Sequence, residues 1–588
     1  MKRPAAGDPT GIDSPLETLA ALALDCQTTG ASAERDHVLE IGWARVGPAA
    51  DAMAEASCAW LTALPDGVTL PPRIAGLTGV QASALEIADK PAAVWQKLLA
   101  AAGDLPVPAD GAGGILLIHY ARFEVPFLEG LHARCGYDGG LPFEIVCTHA
   151  IARRLLPHMP RCGLRALAGY FGVALGEHKR AADHAAATRG IWKHLVPLLA
   201  AAGVRRWSQL AAWLERPPAA GKAARAYPMP SSRRRDIPDV PGVYRMRRGN
   251  GDLLYVGKAR SLRRRINSYF QSRRRHPEHI LEMLAQARDL DYTPTPTALE
   301  AALLEADLIK AAAPPYNRAL KPREAAPVYF APDFQTAGAP GRSGFPVGPL
   351  PSENALAAFR WVVFGCARPE SALTARDEAL AAAIGSSAVG LPPRIVLAEG
   401  LDLYREICAC PGDLTRSARH LLKRGLGLWR QRQASRLASD DAEDAQEENG
   451  APRDWDVPAV MAMLDGVVRR GSQLVRRGRW LQILADASLT WETAERGSQA
   501  ERRLHIRKGQ IGCNSRGASV EAAAIPPFPA VLLASERTVF TSAATYDRLR
   551  VLTTELRRLV GEGRRIRIQT AAGGPIERRG LARLLDLI

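Results

Sequence analysis

Residues 240–259 read VPGVYRMRRGNGDLLYVGKA, and this stretch decides the fold of the segment around it. A Pro241-Gly242 turn leads into the short run Val243-Tyr244-Arg245-Met246, which reads as a strand. Asn250-Gly251, inside RRGNGD, is a strong short-range hairpin signal, and residues 253–257 form the returning strand. That pairing puts Tyr244 and Tyr255 on neighbouring strands. The next stretch, KARSLRRRINSYF at 258–270, has helical spacing, with Leu262, Ile266 and Tyr269-Phe270 inward and the arginines outward. A second helix over 298–310 carries Glu305, and Pro314-Pro315-Tyr316-Asn317 ends it.

Charge gathers on the same stretch. The chain has 588 residues, with 77 Lys+Arg against 61 Asp+Glu, a formal net charge of +16. From Ser231 to Arg275 there are 14 basic and 3 acidic residues, a net +11, including the triplets at 233–235, 263–265 and 273–275. Basic charge around a tyrosine hairpin predicts a phosphate-binding surface. Nucleic acid is the first expected partner, and Arg260, Arg263, Arg264, Arg273, Arg274 and Arg275 are its expected contacts.

The remaining composition sets bounds. A hydrophobic share of 47% excludes a wholly disordered chain. Length alone suggests about three or four domains. No uncharged apolar run of about 18 residues appears, so no membrane partner is expected. The opening MKRPAAGDPTGIDSP lacks an apolar region behind its basic residues, so no secretory signal is expected. Nine scattered cysteines fit a reducing compartment, which predicts a cytoplasmic, nucleoid-associated protein.

The ordered set GVY, YVGK, SLRRRINSYF, ALLEADLIK and PPYN resembles the GIY-YIG nuclease domain, nearest to the N-terminal incision domain of excinuclease UvrC and its shorter relative Cho. The resemblance implies a small α/β domain with Tyr244 and Tyr255 as motif tyrosines and Lys258 beside them. It further implies catalytic roles for Arg265, Tyr269 and Asn317, with Glu305 as sole ligand of Mg²⁺ or Mn²⁺. One such ion would neutralise the scissile phosphate and stabilise the leaving oxygen, with Arg265 adding a second positive contact. A tyrosine whose phenolate Lys258 favours would take the proton from water; Tyr255 is favoured, with Tyr244 the alternative.

Upstream, residues 19–25 form an apolar run ending in Asp25, and VLEIGWARV at 38–46 reads as its hairpin partner. Residues 115–118 form another buried strand, followed by HYARFE and a helix carrying Glu124. His178 and Asp183 open a later helix. Acids at strand ends with a nearby imidazole suit two-metal phosphodiester chemistry. The motifs LDCQTTG, LEIGWARV, LPPRIAGLTGV, IHYARFEVPFL and HKRAADHAAAT resemble DnaQ-type proofreading exonucleases, the DNA polymerase III epsilon relatives. This implies an RNase H-like α/β fold, with Asp25, Glu124 and Asp183 as metal ligands and His178 as general base. Gln27 stands where that family has a glutamate, so the segment is expected to bind 3′ ends and cleave poorly.

The expected architecture is α/β and multidomain: a disordered tail at 1–16, the exonuclease domain at 17–203, a linker at 204–237 and the GIY-YIG domain at 238–322. A UvrC/Cho-like middle region follows at 323–435, then an acidic linker at 436–454 and a mixed helical and α/β region at 455–588. Cys366, Cys408 and Cys410 are one short of a four-thiolate cage, so no iron–sulfur cluster is expected. The leading expectation is an endonuclease making one incision in damaged DNA, as in nucleotide excision repair. UvrA and UvrB damage-recognition proteins or a polymerase clamp are the expected protein partners. The alternatives are a 3′–5′ exonuclease as main activity, and a first domain serving only as a DNA-end or clamp-binding module.

Overall fold

The computed structural model describes residues 13–48, 57–105, 114–176, 178–217, 225–271, 276–317, 326–338, 343–368, 392–438, 455–495, 498–513, 542–570 and 575–576. The chain divides into two compact units, residues 1–298 with 314–318, and residues 299–313 with 319–588. Among the described residues no helix is long and apolar enough to cross a membrane.

The first unit opens on a five-stranded sheet built from β1 (Ala21–Thr28), β2 (Val38–Val46), β3 (Ser57–Leu61), β4 (Ile115–Ile118) and β5 (Glu144–Cys147), in the order β3-β2-β1-β4-β5. The β1–β2 and β2–β3 pairs are antiparallel, whereas β1–β4 and β4–β5 are parallel. This is the α/β arrangement the exonuclease resemblance implied. Every residue of β1 is buried, as expected of a strand covered on both faces. One face packs on α3 (Pro91–Gly103) and α4 (Ala121–Arg134) through Leu24, Trp95 and Phe127. The other meets α5 (Thr148–Leu155), α6 (Leu164–Phe171) and α7 (Ala181–Ala201) through Leu117, Ile151 and Trp192. The short helices α1 (Pro72–Thr78) and α2 (Ala82–Glu86) complete this region.

Two expected boundaries shift. Leu16 is buried and its N–H donates to Arg205 O at 2.9 Å, so residues 13–16 are tied down; the rest of the expected tail lies outside the described residues. The expected linker is largely packed structure. Helix α8 (Trp207–Glu215) buries Leu210 in the exonuclease core. Residues 225–238 then dock at both ends: Ala226 N–H donates to His158 O at 2.9 Å, while Met229 and Ile237 are buried in the next domain. Proline, alanine and arginine over 216–238 suggested a linker because the apolar residues there carry no periodicity, whereas Trp207, Leu210 and Leu214 upstream have the helical spacing of α8.

That next domain is a three-stranded antiparallel sheet, order β7-β6-β8, of β6 (Gly242–Arg247), β7 (Leu253–Ala259) and β8 (Asp289–Pro294), with α9 (Leu262–Ser268) and α10 (Glu278–Gln286). Helix α10 lies against α6 of the exonuclease-like domain. A Cβ at Gly169 would collide with the buried side chain of Gln286, so only glycine allows this approach. Arg288 donates to Tyr170 O at 3.1 Å and covers the Tyr170 ring at 4.8 Å.

The second unit contains α11 (Ala298–Ala312, from Leu299), a small sheet of β9 (Val328–Phe330), β10 (Ala337–Gly338) and β11 (Val347–Leu350), and four helices. These are α12 (Ala357–Ala367), α13 (Arg394–Ile407), α14 (Leu414–Ala438) and α15 (Val457–Leu484), which share a core of Phe359, Val362, Leu401, Leu421 and Val468. The acidic run at 440–448 lies outside the described residues. A final sheet, order β14-β13-β12-β15-β16, joins β12 (Ala487–Glu495), β13 (Ser498–Arg507), β14 (Gln510–Cys513), β15 (Ile566–Thr570) and β16 (Pro575–Ile576), packed with α16 (Ala543–Gly561).

Candidate active sites

On the hairpin of β6 and β7, Tyr244 is fully buried. Its hydroxyl lies 2.7 Å from that of Tyr269, and Arg265 Nη2 donates to the Tyr269 oxygen at 3.1 Å. The Tyr244 ring sits 6.1 Å from the rings of both Tyr255 and Tyr269. A Cβ at Gly257 would strike the Tyr244 hydroxyl, so the glycine between Tyr255 and Lys258 makes room for the buried phenol. Burial first, then Tyr269 and Tyr255, pushes the Tyr244 phenol well above its ordinary range, against the opposing charge of Arg265. Tyr244 therefore keeps its proton.

Asn317 holds the backbone of β7. Its Oδ1 accepts the Val256 N–H at 2.9 Å and its Nδ2 donates to Val256 O at 2.8 Å. It clamps both backbone polar groups of Val256, between Tyr255 and Gly257. Arg263 donates to Ile237 O at 2.7 Å and Arg264 faces Asp239 at 3.6 Å, so part of the basic belt holds the strap at 225–238 in place. Arg260 is exposed, and Arg273, Arg274 and Arg275 lie outside the described residues. Glu305 is half-buried on α11 in the second unit. One carboxylate leaves most of a cation's coordination to water and phosphate, which fits Mg²⁺ or Mn²⁺.

In the exonuclease-like domain, Asp25 is buried near the end of β1. Gln27 Nε2 donates to Asp25 Oδ2 at 2.5 Å, and His184 Nδ1 lies 3.2 Å from Asp25 Oδ1. Both oxygens that a cation would use are thus engaged by nitrogen groups of the protein. Glu124 is buried and accepts the Cys26 N–H at 3.1 Å; burial, then Asp25, pushes its carboxyl well up. Asp183 and His178 are exposed at the start of α7 and the loop before it. Among the described residues no group of three or more His, Cys, Asp or Glu is arranged to hold a metal ion. Asp25 and Glu124 are buried together at one end of β1, whereas Asp183 is exposed.

His184 was missed in the sequence, although it directly follows Asp183. Glu40 was also missed: it is buried opposite Gln27 and bound to the Arg180 guanidinium and the Ala181 N–H. In the second unit, Cys366, Cys408 and Cys410 share one core, with Cys410 hydrogen-bonded to the other two thiols and held well below its ordinary range by them.

Residues 240–318, which carry Tyr244, Tyr269, Arg265 and the Asn317 clamp, match the UvrC-like GIY-YIG domain family. A Mycobacterium tuberculosis protein named as a bifunctional exonuclease/endonuclease is 32% identical over 255 residues, 43% of this chain and 37% of that one. UvrABC system protein C of Rhizobium johnstonii is 41% identical over 127 residues, 20% of this chain and 18% of its own length. The magnesium-bound GIY-YIG N-terminal endonuclease domain of UvrC from Thermotoga maritima is 32% identical, covering 15% of this chain and 93% of that one at a TM-score of 0.14. The chain spans well under half the length of the curated relatives it matches. It joins a UvrC-like GIY-YIG domain to an exonuclease-like domain.

Proposed function

We propose that the chain is a DNA-repair endonuclease that makes a single incision in damaged duplex, while its exonuclease-like domain holds 3′ ends and cleaves poorly. The observation that carries the incision reading is the Tyr244–Tyr269–Arg265 chain of hydrogen bonds on the hairpin sheet. The buried, proton-holding Tyr244 supports Tyr255 as the base, because Tyr255 is the less buried of the pair and Lys258 follows it closely in sequence. Arg265 sets positive charge toward the phosphate, and Asn317 fixes the strand that bears Tyr255. A divalent ion on Glu305 would supply charge neutralisation at the leaving oxygen.

The poor-cleavage reading rests on Gln27 and His184 engaging Asp25. Cleavage mapping on an end-labelled duplex with a bulky lesion tests both readings. Glu305→Gln abolishes nicking and keeps DNA affinity, while Asp25→Ala leaves the nick unchanged. Near-wild-type nicking by Glu305→Gln overturns the incision reading. Strong Mg²⁺- or Mn²⁺-dependent 3′ degradation that Asp25→Ala removes assigns the main activity to the exonuclease-like domain instead.

A further inference from the structure

Beside the buried Asp25, the surface at the carboxyl ends of β4 and β5 is unlike its surroundings. The parallel register sets Leu24 level with Ile118 and Ile118 level with Cys147, and the chain leaves β4 and β5 there, with His119 Nδ1 lying 3.0 Å from Thr148 Oγ1. Asp25, His119 and Thr148 come next, then Tyr120 and His149. Crevices at the carboxyl ends of parallel strands are where open α/β sheets take ligands.

Tyr120 has φ 70° and ψ 47°, the left-handed region that a bulky side chain rarely adopts, and it is 42% exposed. An aromatic side chain held outward in a strained backbone conformation gains nothing from core burial. What holds it is a fixed set of neighbours. The His149 ring meets Tyr120 edge-on at 4.9 Å, and His119 meets His149 edge-on at 5.6 Å. His119 is itself locked, with Thr148 Oγ1 at 3.0 Å from Nδ1 and Cys162 O at 3.1 Å from Nε2. The Arg122 guanidinium lies 5.7 Å from the Tyr120 ring centre. Burial, then the charges of Arg153, Arg161 and Arg122, hold the His149 imidazole below its ordinary range. Arg122 and Arg153 are exposed, and Arg161 reaches Glu278 of the GIY-YIG domain.

We propose that Tyr120 and His149, flanked by Arg122 and Arg153, form a stacking platform for the unpaired terminal nucleobase of a DNA strand. The proposal rests on the end-binding reading of this domain and deepens it by naming the part of the strand it recognises. Exposed π-faces with adjoining cations are how single strands are held without sequence readout, and a base pair inside a duplex cannot offer its face to them. Tyr120 caps the helix that carries Glu124, whose carboxylate accepts the N–H of Cys26, the residue after Asp25, so the platform and the blocked carboxylate belong to the same end of the sheet. The end is held and survives.

The test uses the full chain in EDTA, which stops cleavage, with duplexes carrying 2-aminopurine as the last base of a short 3′ overhang or at an internal paired position. Wild type quenches the overhang probe on binding, and the paired probe far less. Tyr120→Gly, which also relieves the strained backbone and so keeps the fold, loses that quench and weakens overhang binding by about 5- to 100-fold. Tyr120→Phe retains both. Arg122→Ala lowers the salt dependence of binding by roughly one counterion. If Tyr120→Gly melts no lower than wild type yet binds and quenches like it, the platform is overturned. Equal competition by a free deoxynucleoside monophosphate overturns the strand-end assignment. A wild-type chain that binds none of these duplexes overturns the nuclease reading itself.

Discussion

Lys310 and Asp547 form an ion pair 3.1 Å long with side chains only 14% and 4% exposed. Asp307 on the same helix pairs with Arg548 at 3.3 Å, and Leu299 and Leu303 are buried with Leu549 and Leu552. The helix that carries Glu305 is therefore fastened to the C-terminal α/β region. Helix α16 thereby acquires a physical role, since it holds the backbone of the proposed metal ligand.

Removing one partner of that pair strands the other charge. Asp547→Ala is expected to cost about 3–5 kcal/mol and to lower the melting temperature of the full chain by about 10 °C. Nicking should slow while DNA affinity stays. The double variant Lys310→Met/Asp547→Leu should recover most of the stability, because an apolar pair pays no desolvation. Calorimetry on the three proteins decides this, and an unshifted Asp547→Ala would show the fastening to be incidental.

Asn317→Ala leaves the buried N–H and C=O of Val256 unpaired, at about 1–3 kcal/mol for each group. Urea unfolding should register the loss, and kcat for nicking should fall with little change in KM. Asn317→Asp keeps the acceptor for the Val256 N–H but sets a buried carboxylate oxygen against the Val256 carbonyl, so it should lose at least as much stability as Asn317→Ala.

Gln27→Glu replaces the donor to Asp25 with a second carboxylate. Without metal the variant should lose roughly 1–3 kcal/mol from the lost hydrogen bond and like-charge repulsion. Mg²⁺ or Mn²⁺ should then raise its melting temperature more than that of wild type, since only the variant gains a binding site. End-labelled single strands should be degraded at least about 10-fold faster. Identical metal responses in the two proteins would count against the amide as the block.

His119 is neutral in the fold, its pKa lowered from 6.5 to about 3, chiefly by burial. The unfolded chain takes up a proton below pH 6.5 that the folded chain refuses, so this share of stability is complete above pH 6.5 and is lost on descent toward pH 3. Between pH 6.5 and pH 5 the loss is about 2 kcal/mol. His119→Gln, which does not titrate, should lack that slope in denaturant midpoints measured across the range.

The tyrosine hairpin was legible because an Asn-Gly turn and a Pro-Gly entry are local signals, and because the motif residues lie close along the chain. Three of the five strands of the exonuclease-like domain were legible as short apolar runs between turns, whereas Ser57–Leu61 and Glu144–Cys147 were not, because neither carries such a run. The strap at 225–238 was not, because Met229 and Ile237 become core only when another domain supplies the rest of the pocket. The hydrogen bonds of Asn317 to Val256 were not legible, since a side chain's partner 61 residues away leaves no trace in spacing. His184 stood in plain sight beside Asp183, but its meaning depends on which face of α7 meets β1.

By itself, the sequence determined the tyrosine hairpin, the helix that follows it, the strands ending near Asp25 and at Ile118, and that Gln27 removes a negative charge. Those are matters of backbone preference and residue chemistry, which act over a few positions. The tertiary structure decided the rest. It turned Gln27 from a missing ligand into a hydrogen-bond donor on Asp25, set Tyr120 and His149 side by side and fastened the helix of Glu305 to Asp547. Each of those depends on a distance between remote residues, and only the packed chain sets it.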